Sequence, residues 1–462
     1  MMVRHLELNG KRALVIGAAR SGLAAARLLA AQGALVTLND LKSASELEAG
    51  LDSLKNISVN LRLGEGPEAL LPQADLLVLS PGVPVSQALK AQCAALSLPI
   101  IGEFGLAASL TELPIIAVTG TNGKTTTVSL LGEMFRQAGR VVHVAGNIGY
   151  PLSAAVLKAG PEDVLVAEVS SFQLETAGDF HPRAAAVLNI TPDHLNRHGS
   201  MDYYAALKAR IFERQTPADL AVLNLDDPIT REMAEGLSAR VAYFSTRQEV
   251  PSGAMLRGDE LILRRDGQER VICKTRDLKL PGSHNVQNAL AALVLAGFMR
   301  VPPQVMAYSL KVFEGVEHRI EFVRELADVR FYNDSKGTNP EATITAFKAM
   351  RAPTVVILGG YDKKNSFTQL ALTAQASPYI KEAVCIGQTA HQIAASFKEA
   401  GFSACHHAQN LREAVGLAQR LAVPGGNVLF SPACASFDQF KDYEERGRVF
   451  KQLVMALDAP GG

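Results

Sequence analysis

The segment "AVTGTNGKTTT", residues 117–127, follows a β-branched run and opens a helical pattern, "KTTTVSLLGEMFRQAG". A strand, a glycine turn and a helix start are the parts of a phosphate-binding loop, in which backbone N–H groups hold an anion. Val118 stands where the usual pattern G-x-x-x-x-G-K-[ST] has its first glycine. The rest of the pattern is present at Gly120, Gly123, Lys124 and Thr125. The segment therefore predicts a nucleotide site; the alternative is a glycine turn with an incidental lysine.

The same alternation of strand and helix patterns runs along the whole chain, as in "RALVIG", "DVLVAEVSS" and "TVVILGG". It predicts an α/β fold with largely parallel sheets flanked by helices and with ligands at the carboxyl ends of the strands. Two changes in pattern divide the chain into three domains: residues 1–102, 103–314 and 315–462. We expect Rossmann-like first and third domains and a middle domain of the P-loop ATPase type.

The composition argues against several classes of partner. The 46 Lys and Arg residues balance 46 Asp and Glu residues, so no global field favours nucleic acid or a membrane surface. The most apolar helix-like run, residues 22–38, is interrupted by Arg27 and is too short for a membrane span, and no signal-peptide core follows the amino terminus. Five scattered cysteines lack metal or redox spacing. We expect a soluble, cytoplasmic protein that binds no nucleic acid.

A nucleotide loop needs further oxygen ligands for Mg²⁺, usually from neighbouring strand ends. Glu168 ends the apolar run "DVLVAE", and His194 follows the run "AAAVLNI". Both are candidate metal ligands. The alternatives are a solvated strand end for Glu168 and a structural role for His194.

The strings "TGTNGKTTT", "EVSSFQLE", "NITPDHLNRH", "ALKARIF" and "GSHNVQNALAA" occur in this order along the chain. Together they resemble the Mur ligase superfamily, in which the shortened phosphate loop is usual. The resemblance implies that ATP phosphorylates a carboxylate and that an amine attacks the acyl phosphate. The string "SPACASFDQFKDYEERG" is similar to that of members which add D-glutamate to UDP-N-acetylmuramoyl-L-alanine in peptidoglycan precursor synthesis. Those two substrates, ATP and two Mg²⁺ ions are therefore implied, with a monomer as the working state.

The resemblance also assigns residues around the nucleotide and the reacting centre. The implied ATP contacts are Gly120, Thr121, Asn122, Gly123, Lys124, Thr125, Thr126, Asn285, Asn288, Arg319 and Asp334. The implied metal ligands are Thr125, Glu168, His194 and Lys208, the last as an N-carboxylated lysine. The implied catalytic residues are Lys124, His194, Lys208 and Lys336. Without the resemblance, the sequence would indicate a solvated helix lysine at Lys208 and surface groups at Arg319 and Asp334.

The two remaining substrates are assigned in the same way. The stretch "GAARSGLAAA" imitates a dinucleotide fingerprint, but Ala19 replaces its middle glycine. The resemblance makes this the UDP-substrate site, with Arg20, Ser21, Asp40, Ser80, Gly82 and Asn147. It assigns D-glutamate to Thr338, Lys363, Ser436 and Tyr443. Tyr443 stands where relatives often have Phe, so its contact is expected through the backbone.

Other functions fit the sequence less well. An NAD(P)-dependent oxidoreductase would need the middle glycine that Ala19 replaces, and it would not need the ATP loop that this chain contains. A GTPase switch needs an N-K-x-D-type motif, and a non-catalytic nucleotide sensor needs no metal ligands. Among relatives, the diaminopimelate- or lysine-adding ligase typically carries a D-N-P-R-type motif, which is absent, and folylpolyglutamate synthase is not expected to carry "SPACASFDQF".

Overall fold

The structure is a computed structural model that describes residues 7–193, 195–280, 282–362 and 365–458. The chain divides into two compact units between Phe313 and Glu314. The first unit contains two sheets and the second contains one. The predicted α/β class with three domains and largely parallel sheets is confirmed.

The first sheet has five parallel strands in the order β3-β2-β1-β4-β5. The strands are β1 (Arg12–Ile16), β2 (Leu35–Asp40), β3 (Val59–Leu63), β4 (Leu76–Leu79) and β5 (Ile100–Gly102), and the helices are α1 (Arg20–Ala31), α2 (Ala44–Leu51) and α3 (Gln87–Ala95). The neighbouring strands β1 and β4 lead into helices on opposite faces, since α1 and α3 belong to different apolar clusters. Such a divergence opens a crevice at the carboxyl ends of the two strands.

The second sheet has nine strands in the order β14-β13-β12-β11-β10-β9-β6-β8-β7, and only β13 runs antiparallel to its neighbours. The strands are β6 (Ile115–Thr119), β7 (Val142–Gly146), β8 (Val164–Glu168), β9 (Ala184–Val187), β10 (Leu220–Asn224), β11 (Arg240–Ser245), β12 (Gly253–Arg257), β13 (Glu260–Arg265) and β14 (Gln268–Lys274). Its central strands are buried on both faces, as their continuous apolar sequences require.

Nine helices accompany this sheet in the described part of the chain. They are α4 (Glu103–Ser109), α5 (Lys124–Gln137), α6 (Leu152–Val156), α7 (Ser171–Glu175), α8 (Leu195–His198), α9 (Met201–Ala209), α10 (Pro228–Glu232), α11 (Ser283–Phe298) and α12 (Pro303–Val312). The apolar helix α11 packs with α5 on one face, and α4, α6, α7 and α9 contribute to the cluster on the other. No helix in the residues described is both long and apolar enough to cross a bilayer.

The third sheet has six strands in the order β15-β16-β20-β17-β18-β19, and only β15 is antiparallel to its neighbour. The strands are β15 (Glu321–Leu326), β16 (Val329–Asn333), β17 (Thr354–Gly359), β18 (Ile380–Ile386), β19 (Cys405–His407) and β20 (Asn427–Phe430), and the helices are α13 (Pro340–Ala349), α14 (Thr368–Ala376), α15 (Ala390–Glu399), α16 (Leu411–Leu421) and α17 (Tyr443–Met455). The neighbours β17 and β20 lead into α14 and α17 on opposite faces. A second crevice therefore lies at their carboxyl ends.

A buried carboxyl group joins the two sheets of the first unit. Glu103 begins α4 directly after β5, and its Oε1 accepts a hydrogen bond of 2.7 Å from the Ser153 N–H of α6. Its Oε2 has no hydrogen-bond partner among the described residues. Burial raises the pKa of the Glu103 carboxyl to about 7, because a desolvated carboxylate is costly.

Replacing this carboxyl should change how stability depends on pH. Because the folded-state pKa of Glu103 lies above its unfolded-state value, its protonation stabilises the fold at low pH, and this contribution is lost as pH rises towards 7. The free energy of unfolding of Glu103→Gln should therefore rise relative to that of wild type by up to about 1.4 kcal/mol per pH unit between pH 5 and 7 and then level off. Thermal unfolding at several pH values measures this difference. The exposed Glu162→Gln is the control, and a flat difference for Glu103→Gln would contradict the assignment.

Candidate functional site

The loop between β6 and α5 requires glycine at two positions. Gly120 has φ 143° and Gly123 has φ 88°, both in the region that L side chains rarely adopt. A Cβ on Gly123 would also lie 2.2 Å from the Asn288 Oδ1. Both positions therefore favour glycine, and the loop leads directly into a 14-residue helix.

A second loop, after β9, braces this conformation. The Thr121 N–H donates to the Asn189 carbonyl oxygen at 2.9 Å, and the Asn122 N–H donates to the Asn189 Oδ1 at 2.8 Å. Asn189 Nδ2 donates back to the Asn122 carbonyl oxygen at 3.1 Å. Sequence analysis missed Asn189; its one signal was a polar residue at the end of an apolar strand.

Two lysine side chains meet at one carbonyl of the loop. The Lys124 Nζ donates to the carbonyl oxygens of Gly120 and Thr121, each at 2.9 Å. The Lys208 Nζ, from α9, also donates to the Gly120 oxygen at 2.9 Å. Two amines at one oxygen repel each other when both are charged, and a negative group would relieve that repulsion.

Lys208 is 2% exposed, so its interpretation from the residues alone as a solvated helix lysine is wrong. Its Nζ lies 4.7 Å from the centre of the Tyr204 ring. Burial, and next the charge of Lys124, lower the pKa of the Lys208 amine to about 6. The reason for the error is tertiary: α9 packs this face against the phosphate loop.

Glu168 lies beside the loop, where the sequence pattern predicted it. Its Oε2 accepts a hydrogen bond of 2.7 Å from the Thr125 Oγ1, and both side chains are buried. Its Oε1 accepts a hydrogen bond of 2.8 Å from the Asn147 Nδ2. A hydroxyl and a carboxylate are oxygen donors of the kind that Mg²⁺ prefers. The part of the chain described holds no group of three His, Cys, Asp or Glu side chains placed to bind a metal, and His194 lies outside it.

The other residues that the resemblance linked to ATP lie in both units. Asn285 and Asn288 lie in the first turns of α11, with the Asn288 Nδ2 3.4 Å from the Asn285 Oδ1, and Thr126 is buried in α5. In the second unit, Arg319 is half-buried. Asp334 is buried, so its interpretation as a surface group is wrong. Burial raises the pKa of the Asp334 carboxyl to about 6, although its Oδ2 accepts a hydrogen bond of 2.6 Å from the Ser431 Oγ.

The crevice of the first sheet holds the residues assigned to the UDP-substrate, apart from Asn147. Asp40 accepts a hydrogen bond of 2.7 Å from the Ala18 N–H, and the Ser80 Oγ donates to the Gly17 oxygen at 2.9 Å. These two contacts hold the turn after β1, where Arg20 and Ser21 begin α1. Gly82 faces open space.

At the carboxyl end of the third sheet, Lys336 and Thr338 follow β16, and the buried Ser436 follows the neighbouring strand β20. Tyr443 begins α17, and the Lys336 Nζ lies 5.9 Å from its ring centre. Lys363 lies outside the described residues.

Sequence analysis missed a buried arginine beneath this crevice. Arg446 of α17 is 1% exposed, and its guanidinium donates to the oxygens of Cys434 and Ala435, both at 3.0 Å. It also donates to the Ser335 Oγ at 3.0 Å and to the Ser335 carbonyl oxygen at 2.7 Å. A charged residue in the polar string "DYEERG" gave no signal that it is buried.

Three family models match the chain. They are described as the Mur ligase MurD-like N-terminal domain, over residues 11–102; the Mur ligase middle domain, over residues 118–296; and the Mur ligase glutamate ligase domain, over residues 318–434. The matches cover each of the three sheets.

Curated relatives match along the whole length. The UDP-N-acetylmuramoylalanine--D-glutamate ligase of Pelotomaculum thermopropionicum is 47% identical, over 98% of this chain and 99% of the relative. The ligase of the same name from Caldanaerobacter subterraneus subsp. tengcongensis is 45% identical, over 98% and 100%. Among solved structures, UDP-N-acetylmuramate-alanine ligase MurC from Thermotoga maritima shares the fold, with a TM-score of 0.61 at 19% identity over 96% of this chain and 99% of that one.

The geometry of the phosphate loop gives a direct prediction. Gly123→Ala combines an unfavourable φ with a clash against Asn288, so the loop must move and ATP binding should weaken about tenfold or more. Fluorescence titration with a labelled ATP analogue measures the loss. Gly139 follows the other end of α5, has φ 74°, and an added Cβ would meet no atom within 4 Å. Gly139→Ala therefore introduces only the unfavourable φ, without a clash, and should bind ATP normally. Equal affinity in both variants would contradict the assignment of the loop.

Proposed function

Because the chain belongs to the Mur ligase family, we propose that it joins D-glutamate to UDP-N-acetylmuramoyl-L-alanine with hydrolysis of ATP to ADP and phosphate. The observation that carries this proposal is the 47% identity, over 98% of the chain, to a protein named UDP-N-acetylmuramoylalanine--D-glutamate ligase. The product would enter peptidoglycan precursor synthesis. Soluble nucleotide substrates place such a reaction in the cytoplasm, and one chain carries residues for all three ligands, so we propose a monomer.

The chemistry has two steps. A carboxylate resists attack by an amine, so the terminal carboxylate of the UDP-substrate first takes the γ-phosphoryl group of ATP and releases ADP. The D-glutamate amine then attacks the acyl phosphate, and the tetrahedral intermediate expels phosphate as the amide forms and the amine proton is lost. The protein's contribution is to position three anionic reactants and stabilise the developing charge.

The phosphate loop would bind the ATP phosphates. Its N–H groups and the start of α5 provide a fixed positive end, and the Lys124 Nζ would exchange its two carbonyl acceptors for β- and γ-phosphate oxygens. Asn285 and Asn288 of α11 are further proposed nucleotide contacts, and the family resemblance adds Arg319 and Asp334.

Thr125 and Glu168 are proposed Mg²⁺ ligands, and the resemblance adds His194 and a carboxylated Lys208. The oxygen atoms of Thr125 and Glu168 suit this hard cation, and the Thr125 hydroxyl donates to the Glu168 carboxylate at 2.7 Å. Bound Mg²⁺ would neutralise phosphate charge during transfer. We propose two such ions.

Lys208 is proposed to carry a carboxylate on its Nζ. The neutral amine would attack CO₂, form an N–C bond and lose a proton, which converts a potential cation into an anion. Two observations support this: Lys208 is buried, and its Nζ lies 2.9 Å from the same Gly120 oxygen that Lys124 contacts. An anion here would remove the repulsion with Lys124 and provide oxygen ligands for a metal.

The third-sheet crevice would bind D-glutamate. Its two carboxylates need charged and hydroxyl donors, and Thr338, Ser436 and Lys363 are proposed to supply them, with the backbone of Tyr443. Lys336, between β16 and Thr338, is the proposed cation at the reacting centre. The first-sheet crevice would bind the UDP group through Arg20, Ser21, Asp40, Ser80 and Gly82, with Asn147 towards the sugar.

The choice of acceptor tests the proposed function directly. ADP release by the purified protein, with UDP-N-acetylmuramoyl-L-alanine and ATP present, should depend on D-glutamate. L-Glutamate should fail, because the inverted α-carbon cannot keep the amine and both carboxylates in register. Preference for meso-diaminopimelate or L-lysine would overturn the acceptor, and turnover without any acceptor would overturn the ligase.

A second test concerns Lys208. Lys208→Ala should lose about 100-fold or more of its activity, because a ligand and an anion are removed from the site. A short carboxylic acid in excess should restore part of that activity. Exposed Lys158→Ala is the control and should remain active, whereas full activity of Lys208→Ala would exclude the carbamate.

A further inference from the structure

Ser335 joins two segments of the second unit, and it lies between Asp334 and Lys336, two residues that the resemblance assigns. It lies two residues after the end of β16 and is completely buried. Its hydroxyl donates to the carbonyl oxygen of Tyr443 at 2.8 Å and accepts from the Arg446 Nε at 3.0 Å. Its N–H donates to the Asn333 Oδ1 at 3.2 Å, and its carbonyl oxygen accepts from Arg446 at 2.7 Å.

The two partners of the Ser335 hydroxyl belong to the first turn of α17. Tyr443 is the first residue of that helix, and Arg446 lies three residues later. The same guanidinium holds the carbonyl oxygens of Cys434 and Ala435, directly before Ser436. The Ser335 hydroxyl therefore links the segment of Lys336 and Thr338 directly to α17, and the Arg446 guanidinium extends this link to the segment before Ser436.

We propose that Ser335 is a positioning residue for the amino-acid site: its hydroxyl sets the spacing between the Lys336–Thr338 segment and the first turn of α17. The inference rests on the proposed function, because it assigns the crevice to the attacking amino acid. Ser335 itself, being buried and fully hydrogen-bonded, does not contact that substrate.

Packing alone does not account for this arrangement. Alanine would fill nearly the same volume, but it would leave a buried guanidinium N–H and the Tyr443 carbonyl without this partner, and unpaired buried groups are costly. A shift of α17 or of the Lys336 segment would allow the unpaired Arg446 N–H and Tyr443 carbonyl to form new hydrogen bonds. Such a shift changes the distance between groups that must hold the two carboxylates of one small molecule.

The test compares Michaelis constants in the full-length protein. Ser335→Ala should raise the KM for D-glutamate about tenfold or more, while the KM values for ATP and the UDP-substrate change less than about twofold. Ser335→Cys keeps the size and a weak donor, so it should fall between wild type and Ser335→Ala. Ser309→Ala is the matched control, since Ser309 is equally buried and donates to the Val305 oxygen within α12.

Several results would overturn the inference. One is a wild-type KM for D-glutamate in Ser335→Ala; another is a lower kcat and melting temperature with all three KM values unchanged, which marks a merely structural role. If Ser335→Ala does not fold, Ser335→Cys decides, and an unchanged KM for D-glutamate in that variant contradicts the proposal. A failure of the proposed function can be distinguished from a failure of this inference, because the wild-type protein itself would then show no reaction with D-glutamate.

Discussion

Two lysine amines, those of Lys124 and Lys208, share the carbonyl oxygen of Gly120, and the site around the phosphate loop depends on this arrangement. Gly120 can present that oxygen because its φ of 143° suits glycine. Burial and the charge of Lys124 lower the pKa of the Lys208 amine to about 6, which lessens the repulsion between the two amines. A bound anion would interact favourably with both amines, as the proposed phosphate site requires.

The surrounding sheet determines which groups can meet at that oxygen. Strands β6, β8 and β9 are parallel neighbours, so their carboxyl ends lie at one edge, with Val118 paired to Glu168 and Thr119 paired to Val187. Asn189, two residues after Val187, braces the loop. Helix α9 then covers the edge and delivers Lys208. The order of the strands therefore determines that the Glu168 carboxylate, at the end of β8, lies beside the Thr125 hydroxyl, which follows β6.

The second unit uses a different interaction for the same purpose. Here a buried guanidinium, that of Arg446, is surrounded by carbonyl and hydroxyl oxygens of Ser335, Cys434 and Ala435. A charged donor with several fixed N–H directions can hold separate loops in one geometry. Arg446 therefore holds the segment after β16 and the segment after β20 against α17.

The sequence alone determined the α/β class, the largely parallel sheets, the phosphate loop and the position of Glu168 at a strand end beside it. These features are local: strand periodicity, glycine turns and a carboxylate after an apolar run can be read in short windows. Only the tertiary structure decided the surroundings of Lys208 and Asp334, which by themselves read as surface groups and are buried. It also decided the contacts of Asn189 with Asn122 and of Ser335 with Arg446, which join residues far apart in the chain. Burial of a polar side chain depends on which distant segment packs over it, and no local pattern carries that information.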